Sequence, residues 1–115
     1  MRNPGTIDAE TRSAVEVFHA RLSRRYGARL RGLVLFGSRA RGDHRPDSDA
    51  DVAVFLEAVE DPVAAQMDIA DDSYAIFLSH DLLIQPWVFS GSPEHPGRTH
   101  GARLLASIQK EGVKV

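Results

Sequence analysis

Two short apolar runs and the polar segment between them constrain this chain more than any other feature. Leu33, Val34, Leu35 and Phe36 form an unbroken run that Gly37 stops, which predicts a strand covered on both faces. From Asp49 to Leu56 the chain alternates: Val52, Val54 and Leu56 share one side, and Asp49, Asp51, Ala53 and Phe55 share the other, as a second strand requires. The segment from Gly37 to Ser48 is rich in Gly, Arg, Asp and Pro and reads as turn, with room for a short helical piece.

Helical patterns flank these strands. Thr6 can cap a first helix whose first turn carries Asp8 and Glu10; Val15, Phe18 and Leu22 recur at helical spacing until Gly27 ends it. Asp61 followed by Pro62 predicts another helix start, because the carboxylate caps free N–H groups and Pro tolerates the first helical position. Val63, Met67, Ala70, Tyr74 and Phe77 trace one face of this helix, with Asp68, Asp71 and Asp72 as its wet face. Leu82 to Phe89 reads as a third strand, placed at an edge or bulged because Pro86 has no N–H for a ladder. After a Pro- and Gly-rich loop from Ser90 to Gly97, a last helix turns Leu104, Leu105 and Ile108 inward and ends at Gly112, where glycine can take the left-handed conformation. The order of elements predicts one α/β (α+β) domain over residues 1–115.

Composition narrows the chemistry. With 115 residues, 43% hydrophobic and 26% charged, the chain has one domain's worth of core, and at this size it can draw stability from a homo-oligomer or partner. A net charge of -2 argues against nucleic acid or an acidic membrane as the main partner. The chain has no cysteine, so disulfides, thiolate metal sites and a cysteine nucleophile are excluded. No apolar run reaches the roughly 18 residues of a membrane span, and Met1 to Thr6 lack a signal-peptide core, which leads us to expect a cytoplasmic protein. His19, His44, His80, His95 and His100 show no metal-binding spacing, and no histidine is tied by a motif to Ser38 as a nucleophile. Trp87 reads as a core or edge-covering aromatic in preference to a base-stacking one.

Chemistry concentrates where the two strands meet the turn. Gly37 lets backbone approach a phosphate closely. A helix beginning near Ser38 would add free N–H groups and a hydroxyl for the β and γ phosphates of a nucleotide. Asp49 and Asp51, two residues apart on a strand, point the same way, so their oxygens can converge on a hard divalent cation such as Mg²⁺. Either half alone is commonplace; together, at the ends of adjacent predicted strands, they specify a site. Two like charges on one face repel unless a cation lies between them.

From Leu33 to Val54 the chain reads LVLFGSRARGDHRPDSDADVAV. Gly-Ser with an Arg-x-Arg-Gly extension, a variable loop and then Ser-Asp-x-Asp resembles the signature of the DNA polymerase beta-like nucleotidyltransferase superfamily, especially its minimal nucleotidyltransferase (MNT) branch. The resemblance implies a small mixed β-sheet flanked by helices, with Asp49 and Asp51 as catalytic metal ligands for Mg²⁺ and Gly37 and Ser38 holding a nucleoside triphosphate, ATP for preference. Arg39 and Arg41 become candidate phosphate contacts. An acceptor hydroxyl would attack the α-phosphorus and release pyrophosphate.

Members of that superfamily usually carry a third carboxylate inside the third strand. Here the strand reads Leu82-Leu83-Ile84-Gln85-Pro86-Trp87-Val88, with no acid. Gln85 takes that position if it falls within the strand; Asp81, of the same side-chain parity, is the alternative at its entrance. Three functions follow from the resemblance: transfer of a nucleoside monophosphate, AMP for preference, to a protein or small-molecule hydroxyl; an antitoxin-like MNT subunit that neutralises a HEPN-type helical partner by contact; or a nucleotide sensor. The sheet and its helices use up the length, so the acceptor surface is expected from a partner, a second copy or a shallow cleft.

Overall fold

The structure is a computed structural model and describes residues 5, 7–97 and 101–115. Helix α1 spans Ala9–Tyr26 and stops at Gly27, whose φ of 56° takes the chain through a single 3-10 turn, Gly27–Arg29, into strand β1, Leu30–Phe36. Thr6, expected to cap α1, lies outside the described residues, as does His100; Asp8 holds the N-cap position. A one-turn helix α2, Ser38–Arg41, leaves β1 and closes at Gly42 in the left-handed conformation. Strand β2, Ala50–Leu56, follows, and then helix α3, Pro62–His80, with the Asp61 carboxylate accepting from the backbone N–H of Val63 and Ala64 as expected of an N-cap. Strand β3, Ile84–Ser90, helix α4, Ala102–Glu111, and a two-residue strand β4, Val113–Lys114, complete the order.

The sheet order is β3-β2-β1-β4, with β1 antiparallel to β2 and β4, and β2 parallel to β3. It is a small mixed sheet with helices on both faces, the architecture expected. On one face Val52, Val54 and Leu56 pack with Ala14, Val15, Phe18 and Leu22 of α1 and Ile69 and Ile76 of α3. On the other, Val34, Ala53, Phe55 and Phe89 pack under Leu105 and Ile108 of α4. The alternation read from Asp49 to Leu56 therefore feeds two cores, and in β2 Asp51 alone is not fully buried. Edge strand β3 accommodates Pro86 without loss of a ladder bond, as anticipated. Among the described residues no helix is long and apolar enough to cross a membrane.

Three expectations need correction. First, the face of α3 traced by Val63, Met67, Ala70, Tyr74 and Phe77 points to solvent; the residues it buries are Ile69, Asp72, Ser73 and Ile76. Second, Asp72 is no part of a wet face: it is 3% exposed and accepts from Arg21 Nε at 3.1 Å and from Arg25 Nε at 2.9 Å, tying α3 to α1. Third, Gly112 ends α4 in an extended conformation, φ -69°, not a left-handed one. Glycine is needed there because a Cβ would collide with Val34 Cγ1 and Ile108 O, both within 2.5 Å, as the chain turns in to pair Val113 with Leu35.

Candidate active site

The β1–β2 register sets Phe36 opposite Asp51, so the chain leaving β1 passes directly beside that carboxylate. Gly37 takes φ 77°, a conformation open to glycine, and a Cβ there would stand 2.7 Å from Asp51 Oδ2. Its carbonyl accepts from the N–H of Ala40 and Arg41, which starts α2 immediately after the turn. Ser38, the first residue of α2, is half-buried at the same corner.

The other oxygen of Asp51 is also approached. Trp87 Nε1 donates to Asp51 Oδ1 at 3.3 Å, and the indole lies 6.3 Å from the Phe36 ring, centroid to centroid. Trp87 is 41% exposed, so it covers the sheet edge at the site as an edge aromatic. Burial pushes the Asp51 carboxyl above its ordinary range; the Trp87 hydrogen bond works against this, the charge of Asp49 adds to it, and Arg41 opposes it. The charge of Asp49 is thus felt at Asp51. Asp49 itself is exposed, one residue before β2 begins, and borders a hollow of about 340 Å³ with Ser48, Phe77 and Asp81.

The two candidates for the third corner are placed differently. Gln85 is the register partner of Asp51 across the parallel β2–β3 pair, which turns their side chains to the same face. Asp81 caps α3 in the left-handed conformation, φ 52°, and borders the Asp49 hollow. Among the described residues no three His, Cys, Asp or Glu side chains stand close enough to hold a metal ion between them.

Arg39 corrects the sequence reading. It is 2% exposed, and its guanidinium donates to Ser48 O at 2.8 Å, Thr11 Oγ1 at 2.8 Å and Pro46 O at 3.1 Å. It is a clamp that fastens the loop before Asp49 to α1 and α2, and its donors are committed to protein acceptors instead of phosphates. Nothing local in the sequence distinguishes it from Arg41, because its partners are two carbonyls of an irregular loop and the Thr11 hydroxyl of α1. Arg41 stays exposed, bonded to Asp43 at 3.1 Å and 3.6 Å from Glu111, with its charge still felt at Asp51.

Sequence reasoning also missed the Trp87 contact to Asp51; parity with Gln85 was the available signal. Ala50 N donates to Leu83 O, which pins the entrance of β2 to the segment leading into β3.

No curated protein matches the chain. A solved structure from Sulfolobus solfataricus, described as a candidate nucleotidyltransferase, is similar at 16% identity over 97% of this chain and 90% of that chain, with a TM-score of 0.47. The family model for the nucleotidyltransferase domain matches residues 15–110. That match takes in both strands of the site, the turn between them and all but the ends of the chain, and the protein belongs to the nucleotidyltransferase domain family.

Proposed function

We propose that this chain binds a nucleoside triphosphate, ATP for preference, with Mg²⁺ at Gly37, Ser38, Asp49 and Asp51, and transfers its nucleoside monophosphate to a hydroxyl. The observation that carries the reading is the close approach of the Gly37 turn to Asp51, where a Cβ would stand 2.7 Å from Asp51 Oδ2, which brings a glycine turn and a carboxylate to one point. The donor set fits a divalent cation: burial and the charge of Asp49 both disfavour ionised Asp51 until a positive charge arrives. Bound there, Mg²⁺ supplies the positive charge that phosphates and a departing pyrophosphate require.

The chain's own residues do the rest. Gly37 keeps the phosphate path clear of side chains, and the Ser38 hydroxyl donates toward the phosphates. The acceptor oxygen forms a bond to the α-phosphorus as the bond to pyrophosphate breaks, and the acceptor proton passes to solvent. Gln85 beside Asp51 is an amide and takes no proton, so it positions without serving as a base.

Thermal melts with and without Mg-ATP test the site. Wild type should be stabilised, and Asp49→Asn and Asp51→Asn should each lose most of that gain; equal stabilisation of all three would sink the assignment.

Gln85 favours a second reading, an antitoxin-like subunit that binds Mg-ATP, transfers slowly and acts chiefly by contact with a HEPN-type helical partner. Incubation with α-labelled ATP separates the two: rapid labelling of an acceptor supports the first, and retained Mg-ATP binding without labelling supports the second.

A further inference from the structure

The solvent face of α3 is apolar along its whole length. Val63, Met67, Tyr74 and Leu78 are 69%, 66%, 59% and 68% exposed, and Ala70 and Phe77 are exposed with them. Scattered exposed apolar residues are ordinary, but a continuous row is a mark of an interaction surface. The row also has a period. Val63, Met67, Ala70, Tyr74 and Phe77 follow one another at intervals of four, three, four and three residues, the spacing of a coiled-coil seam. This stripe lies opposite Ile69, Asp72 and Ile76, so it is surplus to the fold's own core. A seam of that spacing on a helix about 28 Å long is complementary to another helix. Ala70, small and near the middle, lets two axes come close.

Charge decides between occupants. Between Pro62 and Ser79 the charged residues are Asp68, Asp71 and Asp72, with no lysine or arginine. Asp72 is buried and paired with Arg21 and Arg25 of α1; Asp68 and Asp71 are exposed. Asp61 and Asp81 add acids at the two ends of the helix. Asp71 sits at the midpoint of Pro62–His80, so two copies packed antiparallel about a two-fold would set Asp71 against Asp71 at the axis. Like charges there disfavour a second copy.

We propose that α3 is a docking helix for another protein, which presents an amphipathic helix whose apolar seam is flanked by lysine or arginine. Affinity comes from covering the Val63–Phe77 row, and selectivity from Asp71 on its flank, Asp68 already feeling the charge of Arg25 on α1. The proposal names a surface for the partner-binding reading and needs no nucleotide transfer, although Phe77 of the row also borders the Asp49 hollow.

The probe is a synthetic peptide about three heptads long with Leu at the a and d positions and Lys at e and g; its twin carries Glu at e and g. Titrated calorimetrically into the full chain at low salt, the Lys peptide should bind at least about tenfold more tightly than the Glu peptide. Met67→Glu and Tyr74→Glu, both at exposed positions, should keep the wild-type circular dichroism and lose about tenfold or more in affinity for the Lys peptide. Asp71→Lys should shift preference toward the Glu peptide. Sedimentation velocity on the chain alone is the second arm: a monomer is expected. Equal affinity for both peptides, no binding of either, or a dimer that Met67→Glu dissociates would each overturn the proposal, the last by naming a second copy as the occupant.

Discussion

A Cβ added to Gly37 would meet Asp51 Oδ2 at 2.7 Å, so the turn after β1 and the carboxylate in β2 cannot be altered independently. Gly37→Ala therefore faces both a positive φ and a collision with a charged oxygen. It should cost about 1–3 kcal/mol of stability and displace the Asp51 carboxylate. Denaturant melts read the first effect. Mg-ATP titration reads the second, as a loss in affinity larger than Gly42→Ala causes at the other end of α2. The Gly42 position also has positive φ, but no atom lies within 4 Å of the added Cβ.

Arg39→Ala separates the clamp role from phosphate binding. It removes three hydrogen bonds, leaves Ser48 O, Pro46 O and the Thr11 hydroxyl without their donor, and opens a cavity where one of the largest fully buried side chains stood. A loss of about 2–4 kcal/mol is expected in urea melts carried out without nucleotide. Arg41→Ala, at an exposed position, should leave the melt nearly unchanged. Were the two to melt alike, Arg39 would not be the fastener of the Pro46–Ser48 loop.

The strands of the site were legible because their patterns are local: Leu33 to Phe36 is a continuous apolar run, and Val52, Val54 and Leu56 alternate with Asp51, Ala53 and Phe55. Helix α3 was legible as a helix, from its Asp61-Pro62 start, but not in its orientation. Periodicity says which residues share a face and is silent about which way the face points. Met67, Tyr74 and Phe77 do share one face, but the contact with the core uses Ile69 and Ile76 with a buried Asp72. That acid is tolerated because Arg21 and Arg25 reach it from α1, a pairing across 51 and 47 residues that no local pattern reveals. Strand β4 was missed because two residues are too few to carry an alternation.

Asp51 gives the site a pH signature. Its carboxyl is raised above the usual range, first by burial, so the folded protein holds this proton more tightly than the unfolded chain does. Stability from this group is therefore lost as pH rises through the raised folded value, and is recovered as pH falls back toward the unfolded one. Asp51→Asn, which mimics the protonated form, should melt higher than wild type at neutral pH without metal, with the difference shrinking on acidification. Added Mg²⁺ should narrow the same gap at neutral pH by stabilising wild type alone. A variant that melts no higher than wild type at any pH would show that the charge of Asp51 is not a burden on the fold.

The third corner can be decided by moving one carboxylate. Gln85 is in register with Asp51 on the neighbouring parallel strand and shares its face, while Asp81 lies four residues earlier, in the left-handed cap of α3 beside the Asp49 hollow. Gln85→Asp places a third acid next to Asp51. In the absence of metal it should lower the melting temperature, since another like charge joins a half-buried one. With Mg²⁺ the sign should reverse, with metal affinity raised about tenfold, a step of about 1.4 kcal/mol, and any nucleotide transfer accelerated. Trp87, the chain's single tryptophan, reports the event directly, because its Nε1 bonds to Asp51 Oδ1 and a cation on that carboxylate must alter the indole's surroundings. Fluorescence titrated with Mg²⁺ should therefore saturate at lower concentration in Gln85→Asp than in wild type. Asp81→Ala should leave that titration unchanged, and Asp81→Gly should raise the melting temperature, because glycine accepts φ 52° without a steric penalty. If Asp81→Ala instead abolishes both the Mg²⁺ response and transfer while Gln85→Asp alters neither, the metal corner belongs to Asp81 and the register argument fails.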